Sequence, residues 1–510
     1  MELHGSSPHA PAISAADIGL SIRRVAKSSL KDRRRTLKGK LTAPTQEFSS
    51  LVLRLPSELL LNTFQEAVRG EGSQCVRIAI TISHVSRRWR SLAVTTPGLW
   101  THACISPAIS ATTLAAYVSR SSPLPLDVHV MEWRGNMGDP DGLHFEQAFK
   151  VIAVSIARWR SLTVLDTSDA YLTYLLPNLR NSGPFQSLEH VLMRGHGGYN
   201  GAYPFSPTTV APLLKVLDIE DLPLPENFSI LDRSTKTSSL TTLCLRGSMG
   251  PFHAMTPSTS FRALLVSAPN LTVLSLHGDP INFVREDFGG SIPHLDAPNL
   301  DTLILRPGSR IVHFLPLLLN ALRAPALRHY ELVFPHSGSH GQRTADKLLE
   351  RGLPKFPLVE TVRLQNASEP DTIALFVKAF PGASRVALGG LDIPFFSYAF
   401  QRASVSAISY ENTSWAQLQH LTLISPSSES LDAVCSWFQA VPEHERTIHT
   451  AVIEGHTSVS PSFLKLYLEL QSLVRVILDG VDPIAHRQLT SDIAANDSTL
   501  CTSASAPAMV

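Results

Sequence analysis

One six-residue pattern constrains this chain more than any other feature. Three apolar positions spaced as L-x-x-L-x-L recur twelve times between residues 162 and 478. The cleanest copies are Leu271/Leu274/Leu276 and Leu300/Leu303/Leu305. Each has a proline, Pro269 or Pro298, two residues before its first apolar position. Leu327/Tyr330/Leu332 and Val359/Val362/Leu364 follow the same rule. Upstream copies read Leu162/Leu165/Thr167, Leu188/Val191/Met193, Leu214/Leu217/Ile219 and Leu240/Leu243/Leu245. Downstream copies read Ala383/Val386/Leu388, Leu418/Leu421/Leu423, Ile448/Ala451/Ile453 and Leu473/Val476/Leu478. Successive first positions lie 24 to 35 residues apart. A unit of that length cannot bury its own apolar face, so the copies must stack on one another.

Composition agrees with short elements broken by turns. The chain has 510 residues, 44% hydrophobic and only 17% charged, with 36 prolines. That apolar content excludes disorder over most of the length. Proline breaks helix interiors, so a leucine-rich chain with this much proline does not read as long helices. Phe145–Arg158, Asp371–Phe380 and Leu431–Ala440 read as helices that stop just ahead of a new extended segment. The period and the hexamer resemble the leucine-rich repeat. That resemblance implies an α/β repeat fold, an irregular solenoid over residues 106–482 with parallel strands on its concave face. The asparagine that usually follows the strand is replaced by Ser248, Asp279, Gly308 or Pro335, with Asn366 as the exception. A regular asparagine ladder is therefore not expected, and curvature should be uneven.

Forty-four Lys and Arg against 43 Asp and Glu leave a net charge of +1. A polyanion binder is not expected on that balance, so nucleic acid is not an expected partner. The five cysteines, Cys75, Cys104, Cys244, Cys435 and Cys501, form no C-x-x-C. They suggest neither a disulfide framework nor a cysteine zinc site, and they fit a reducing compartment, cytoplasmic or nuclear. No apolar run reaches the length of a membrane span. The densest, Ile311 to Leu322, contains His313, Pro316 and Asn320. Residues 1–50 lack a signal-peptide core and are basic between Arg23 and Lys40. Three readings fit them: a solvated tail, an amphipathic helix through Ile18, Ile22, Val25, Leu30, Leu37 and Leu41, or a nuclear-import signal at Arg33-Arg34-Arg35. Residues 483–510 are rich in Ala, Ser and Thr and read as a disordered tail.

Residues 51–105 form a separate apolar unit. Leu60, Phe64 and Val68 share one helical face, with Ser57 or Pro56 at its start. Ser86 can cap a second helix carrying Trp89 and Leu92, and Leu99-Trp100 then folds back. The opening Leu55-Pro56-Ser57-Glu58-Leu59-Leu60 with Phe64 resembles the F-box. So does the close, Val85-Ser86-Arg87-Arg88-Trp89-Arg90 followed by Pro97-Gly98-Leu99-Trp100. The match covers about 48 residues of this chain. Its spacing is longer than in compact members, with Gly70-Glu71-Gly72 in the middle and Ile78 to Ile82 as a shortened middle helix. Such long-linker members with a following repeat array resemble those of mushroom-forming fungi.

The resemblance implies a substrate-recognition subunit of a Skp–cullin–F-box ubiquitin ligase. The F-box would dock on the Skp adaptor, and through it on a cullin, while the repeats hold a protein substrate. Leu55, Pro56, Leu59, Leu60, Phe64, Val85 and Trp89 would form or support the adaptor face. Such a chain is not itself an enzyme and needs no cofactor. A scaffold that uses the repeats for protein interaction, without a ligase role, is the alternative.

Other chemistry is weakly signalled. Gly195-His196-Gly197-Gly198 looks like an esterase oxyanion loop, but the chain has no G-x-S-x-G nucleophile turn. His336 and His340 lack a third metal ligand, so no metal site is expected. Outward strand positions include Asp218, Glu220, Arg246, Ser275, His277, Arg306, Glu331, Arg363 and Gln365. Of these, Arg246, His277, Arg306, Glu331 and Arg363 are the candidate substrate contacts. Their mixed signs specify no single ligand charge.

Overall fold

A computed structural model describes residues 55–69, 75–135, 137–138, 140–195, 211–222, 224, 239–247, 255–283, 294–308, 311–335, 341–349, 354–367, 370–390, 417–455 and 460–479. The basic segment 1–50, the tail 483–510, the Gly70-Glu71-Gly72 linker, His196 with its glycines 197 and 198, and His336 with His340 lie outside the described residues. The chain divides into two compact units, Met1–Thr95 and Thr96–Val510.

Among the described residues, the first unit holds three helices: α1 (Ser57–Arg69), α2 (Cys75–Val85) and α3 (Arg87–Val94). Leu60, Phe64 and Val68 are all buried, as their i, i+4, i+8 spacing requires. Ser86 caps α3, its Oγ accepting from the Trp89 amide at 3.1 Å. Ser57 does not cap α1. The Leu60 amide donates to the Pro56 carbonyl at 3.2 Å, so Pro56 is the flanking residue. Ser57 Oγ accepts instead from the Arg88 guanidinium at 3.2 Å. The middle helix is also longer than the Ile78–Ile82 stretch expected. It runs for 11 residues, because Ser86 starts the next helix directly after it.

Among the described residues, the second unit is built on one parallel sheet of 14 strands. These are β1 (His102–Ile105), β2 (Leu126–Met131), β3 (Trp159–Leu165), β4 (His190–Arg194) and β5 (Val216–Glu220). They continue as β6 (Thr242–Arg246), β7 (Val273–His277), β8 (Thr302–Arg306), β9 (His329–Val333) and β10 (Thr361–Gln365). The series ends with β11 (Arg385–Gly389), β12 (His420–Ile424), β13 (Thr450–Glu454) and β14 (Arg475–Asp479). Each inner strand pairs in parallel with the one before and the one after it, and β1 and β14 form the two edges. Parallel neighbours need a crossover, and helices supply many of them. The described crossover helices are α4 (Ala111–Arg120), α5 (Pro140–Ala153), α6 (Asp169–Asn181), α7 (Ser258–Ser267) and α8 (Ile311–Ala321). Beyond them come α9 (Gly341–Leu348), α10 (Pro370–Ala379), α11 (Ser428–Ala440) and α12 (Pro461–Leu473). No described helix is long and apolar enough to cross a membrane.

The apolar rungs form one continuous core. Leu217, Leu243, Leu274, Leu303, Tyr330 and Val362 align strand to strand, and each is essentially inaccessible. Residues two positions ahead of most strands, such as Leu240, Leu300 and Leu327, are buried in the same core.

Two sequence expectations change here. Leu162 pairs with Val191, and Val164 with Met193. The rung of β3 is therefore Trp159/Leu162/Val164, three residues earlier than Leu162/Leu165/Thr167. Trp159 is fully buried, and its bulk fills the place a leucine holds elsewhere. The array also begins two strands sooner than the hexamers indicated. Ala103 and Ile105 of β1 align with Val128 and Val130 of β2, which align with Leu162 and Val164. Trp100 stands at the opening position of this first rung, 1% exposed, edge-on to Tyr117 of α4 at 4.8 Å.

Strand ends replace the missing asparagine ladder. Asp166, Asp221, Gly278, Asn366, Gly390, Ser425 and Gly455 follow their strands with positive φ. Their amides continue the backbone ladder: Asp221 donates to the Arg246 carbonyl and Gly278 to the Arg306 carbonyl, both at 2.8 Å. Asn366 aligns with Phe334, one residue before Pro335, and its Nδ2 donates to the Phe334 carbonyl at 3.2 Å. It is thus a turn residue and not a displaced copy of the usual asparagine.

Candidate functional site

The first unit carries an apolar surface. Of its seven singled-out residues, Leu60 and Phe64 are buried. Trp89 is half-buried against Phe64, with ring centroids 4.8 Å apart. These three close the unit's own core. Leu55, Pro56, Leu59 and Val85 are exposed instead, Leu59 by 52% and Val85 by 57%. Arg88 holds the surface together, donating to the Leu55 carbonyl at 2.6 Å and to Ser57. That bond ties the start of α3, beside Val85, to the start of α1, beside Leu55 and Leu59. Leu55, Leu59 and Val85 thus leave apolar side chains exposed on the unit.

The second unit presents the sheet face turned away from its core. Arg246 clamps Asp218 on the neighbouring strand through two bonds, at 3.1 and 3.0 Å. Arg194 pairs with Glu220 at 3.1 Å and Arg306 with Glu331 at 2.9 Å. Arg363 lies 3.9 Å from Glu331 and binds both Glu454 oxygens at 2.9 Å. All five substrate-contact candidates sit on this face. Arg306, Glu331, Arg363 and Glu454 form a chain of alternating charges. The hydrogen bond from Arg363 lowers the Glu454 pKa, and that bond also raises the pKa of Arg363.

His277 stands in register between Arg246 and Arg306. Burial, then those two guanidinium groups, press its pKa down to about 4. Its Nε2 lies 2.8 Å from Ser275 Oγ. A base this weak is a poor activator of a hydroxyl at neutral pH, so the pair orders the face and does not create a nucleophile. Burial, with Asp218 beside it, lifts the Cys244 thiol to about 11, which leaves it unreactive.

Sequence reasoning missed a polar cluster on β1 to β3. Asp127 accepts from Arg160 and from Ser161 at 2.8 Å, and lies 3.6 Å from His102. Burial would raise the Asp127 pKa, but the Arg160 and Ser161 bonds outweigh it and hold it low. Only the alignment of β1 and β2 reveals this cluster, since neither strand carries the leucine hexamer. Among the described residues, no group of three or more His, Cys, Asp or Glu is arranged to hold a metal.

Comparison with protein-family models and with curated proteins returned no match.

Proposed function

We propose that the chain is a substrate-recognition subunit of a Skp–cullin–F-box ubiquitin ligase. The observation behind this reading is the outward set Leu55, Pro56, Leu59 and Val85 on a helical unit whose core closes without them. The F-box-like motif, with a long parallel repeat sheet following it, supports the same reading. In this role the first unit, an F-box, docks on the adaptor. The second, a leucine-rich-repeat solenoid, holds a protein substrate. The chain performs no bond chemistry itself; it raises the effective concentration of a substrate lysine near the charged enzyme.

The test is co-purification of the intact chain with a Skp adaptor and a cullin. Leu59→Glu with Val85→Glu places two charges on the exposed surface and should abolish adaptor capture. Circular dichroism should be unchanged, because neither side chain is in the core. No adaptor bound to the intact chain overturns the proposal and leaves the repeat scaffold as the better reading.

A further inference from the structure

The last four strands differ from the rest of the open face. Ahead of them the outward arginines are paired: Arg194, Arg246, Arg306 and Arg363 each meet a carboxylate. On β11 to β14 the first outward row is Arg385, His420, Thr450 and Arg475, aligned strand by strand. Arg385 and Arg475 are exposed and make no ion pair among the described residues. The next row is Ala387, Thr422, Val452 and Ile477; the row beyond is Gly389, Ile424, Glu454 and Asp479, with Glu454 already held by Arg363. Ile477 is 40% exposed, and Ile424 and Val452 are half-buried. Two arginines with no ion pair among the described residues thus border a small apolar strip on the sheet.

We propose that this end of the face docks an extended acidic segment of a partner protein, read as acid-x-apolar-x-acid. Arg385 and Arg475 stand three strand steps apart, about 14 Å at the usual strand spacing. Four residues of extended chain cover about 13 Å, so acids at positions one and five reach both arginines. The side chain at position three points the same way, falls between β12 and β13 and meets Val452, while Ile477 borders position five. Charge complementarity selects the partner's sign, and the apolar strip supplies desolvated contact. The inference rests on the substrate-receptor reading of the repeat sheet and names the substrate's chemistry.

The experiment is selection of a displayed random-peptide library on the full chain, followed by titration of the enriched peptides by fluorescence anisotropy. Enrichment of acid-x-apolar-x-acid sequences is the expected result. Arg385→Glu with Arg475→Glu should weaken them about tenfold or more, and added salt should weaken them further. Ile477→Asp, a separate exposed change, should weaken them as well. Adaptor capture should be unaffected by all three substitutions, which keeps failure here distinct from failure of the adaptor docking. The proposal is overturned by no enrichment, by enriched peptides without acidic residues, or by affinity indifferent to the double charge reversal. It is also overturned if a synthetic peptide of residues 480–500 competes equally well, which would make the chain's own tail the occupant.

Discussion

Arg363 and Glu454 lie 91 residues apart in the chain and meet through two hydrogen bonds of 2.9 Å. The pair spans three strand steps, from β10 to β13, passing over Ala387 and Gly389 of β11. On a flat sheet the two backbones would be about 14 Å apart across the strands and about 7 Å along them. Two side chains lying down would barely cover that distance. The pair therefore lies nearly extended along the face, over the small Ala387 and Gly389 of β11 and past Thr422 and Ile424 of β12.

Breaking this pair should cost little stability and show a clear coupling. Arg363→Ala and Glu454→Gln are each expected to destabilise by about 0.5–1.5 kcal/mol, since both side chains are partly solvated. A double-mutant cycle in urea should return a coupling of several tenths of a kcal/mol. Because the folded Glu454 pKa lies below its ordinary value, its contribution is full above that value. It fades as pH falls through the lowered one. Glu454→Gln should remove that acid sensitivity.

His277 should titrate near pH 4, as read by NMR of its imidazole. The unfolded side chain titrates near 6.5, so the unfolded state binds more protons between the two values. Stability from this residue is therefore complete above pH ~6.5 and falls as pH drops toward ~4. The loss is about 1–2 kcal/mol once solvent screening is allowed for. His277→Gln should flatten that window of the pH–stability curve.

The β3 rung separates two registers by experiment. Trp159→Ala should cost about 3–5 kcal/mol, because the indole is fully buried. Leu165→Ala should cost about 1 kcal/mol or less, because Leu165 stands outward and half-buried. Equal costs in thermal unfolding would restore the register that the leucine hexamer suggested.

Gly278→Ala should be severe. Its φ is +67°, and an added Cβ would lie 1.9 Å from the Gly247 carbonyl oxygen. A loss of at least about 2 kcal/mol is expected, since neither the dihedral nor the backbone contact can relax cheaply. Hydrogen exchange should show the opening concentrated at the ends of β6 to β8.

Much of the ladder was legible because leucine burial imposes spacing. Eleven of the twelve hexamers stand in the expected register, from Leu188/Val191/Met193 to Leu473/Val476/Leu478. The β3 copy was misplaced because Trp159 substitutes for leucine, while Leu165 offers a false match one step along. The β1 rung was hidden because Trp100, Ala103 and Ile105 share no pattern with Leu271, Leu274 and Leu276. In the first unit, the Leu60, Phe64 and Val68 stripe and the Ser86 cap were readable, since both follow from helix geometry. Which motif residues face outward was not, because Leu59 and Leu60 are chemically alike and differ only in direction.

The chain alone therefore determined the strand period, the buried side of the strands from β4 to β14 and the start of α3. These are local consequences of apolar spacing and capping. Only the tertiary structure decided which outward charges meet. Arg246, Arg306 and Arg363 found carboxylates on other strands, whereas Arg385 and Arg475 found none among the described residues. Strand register sets those distances, and it arises from contacts among residues tens of positions apart.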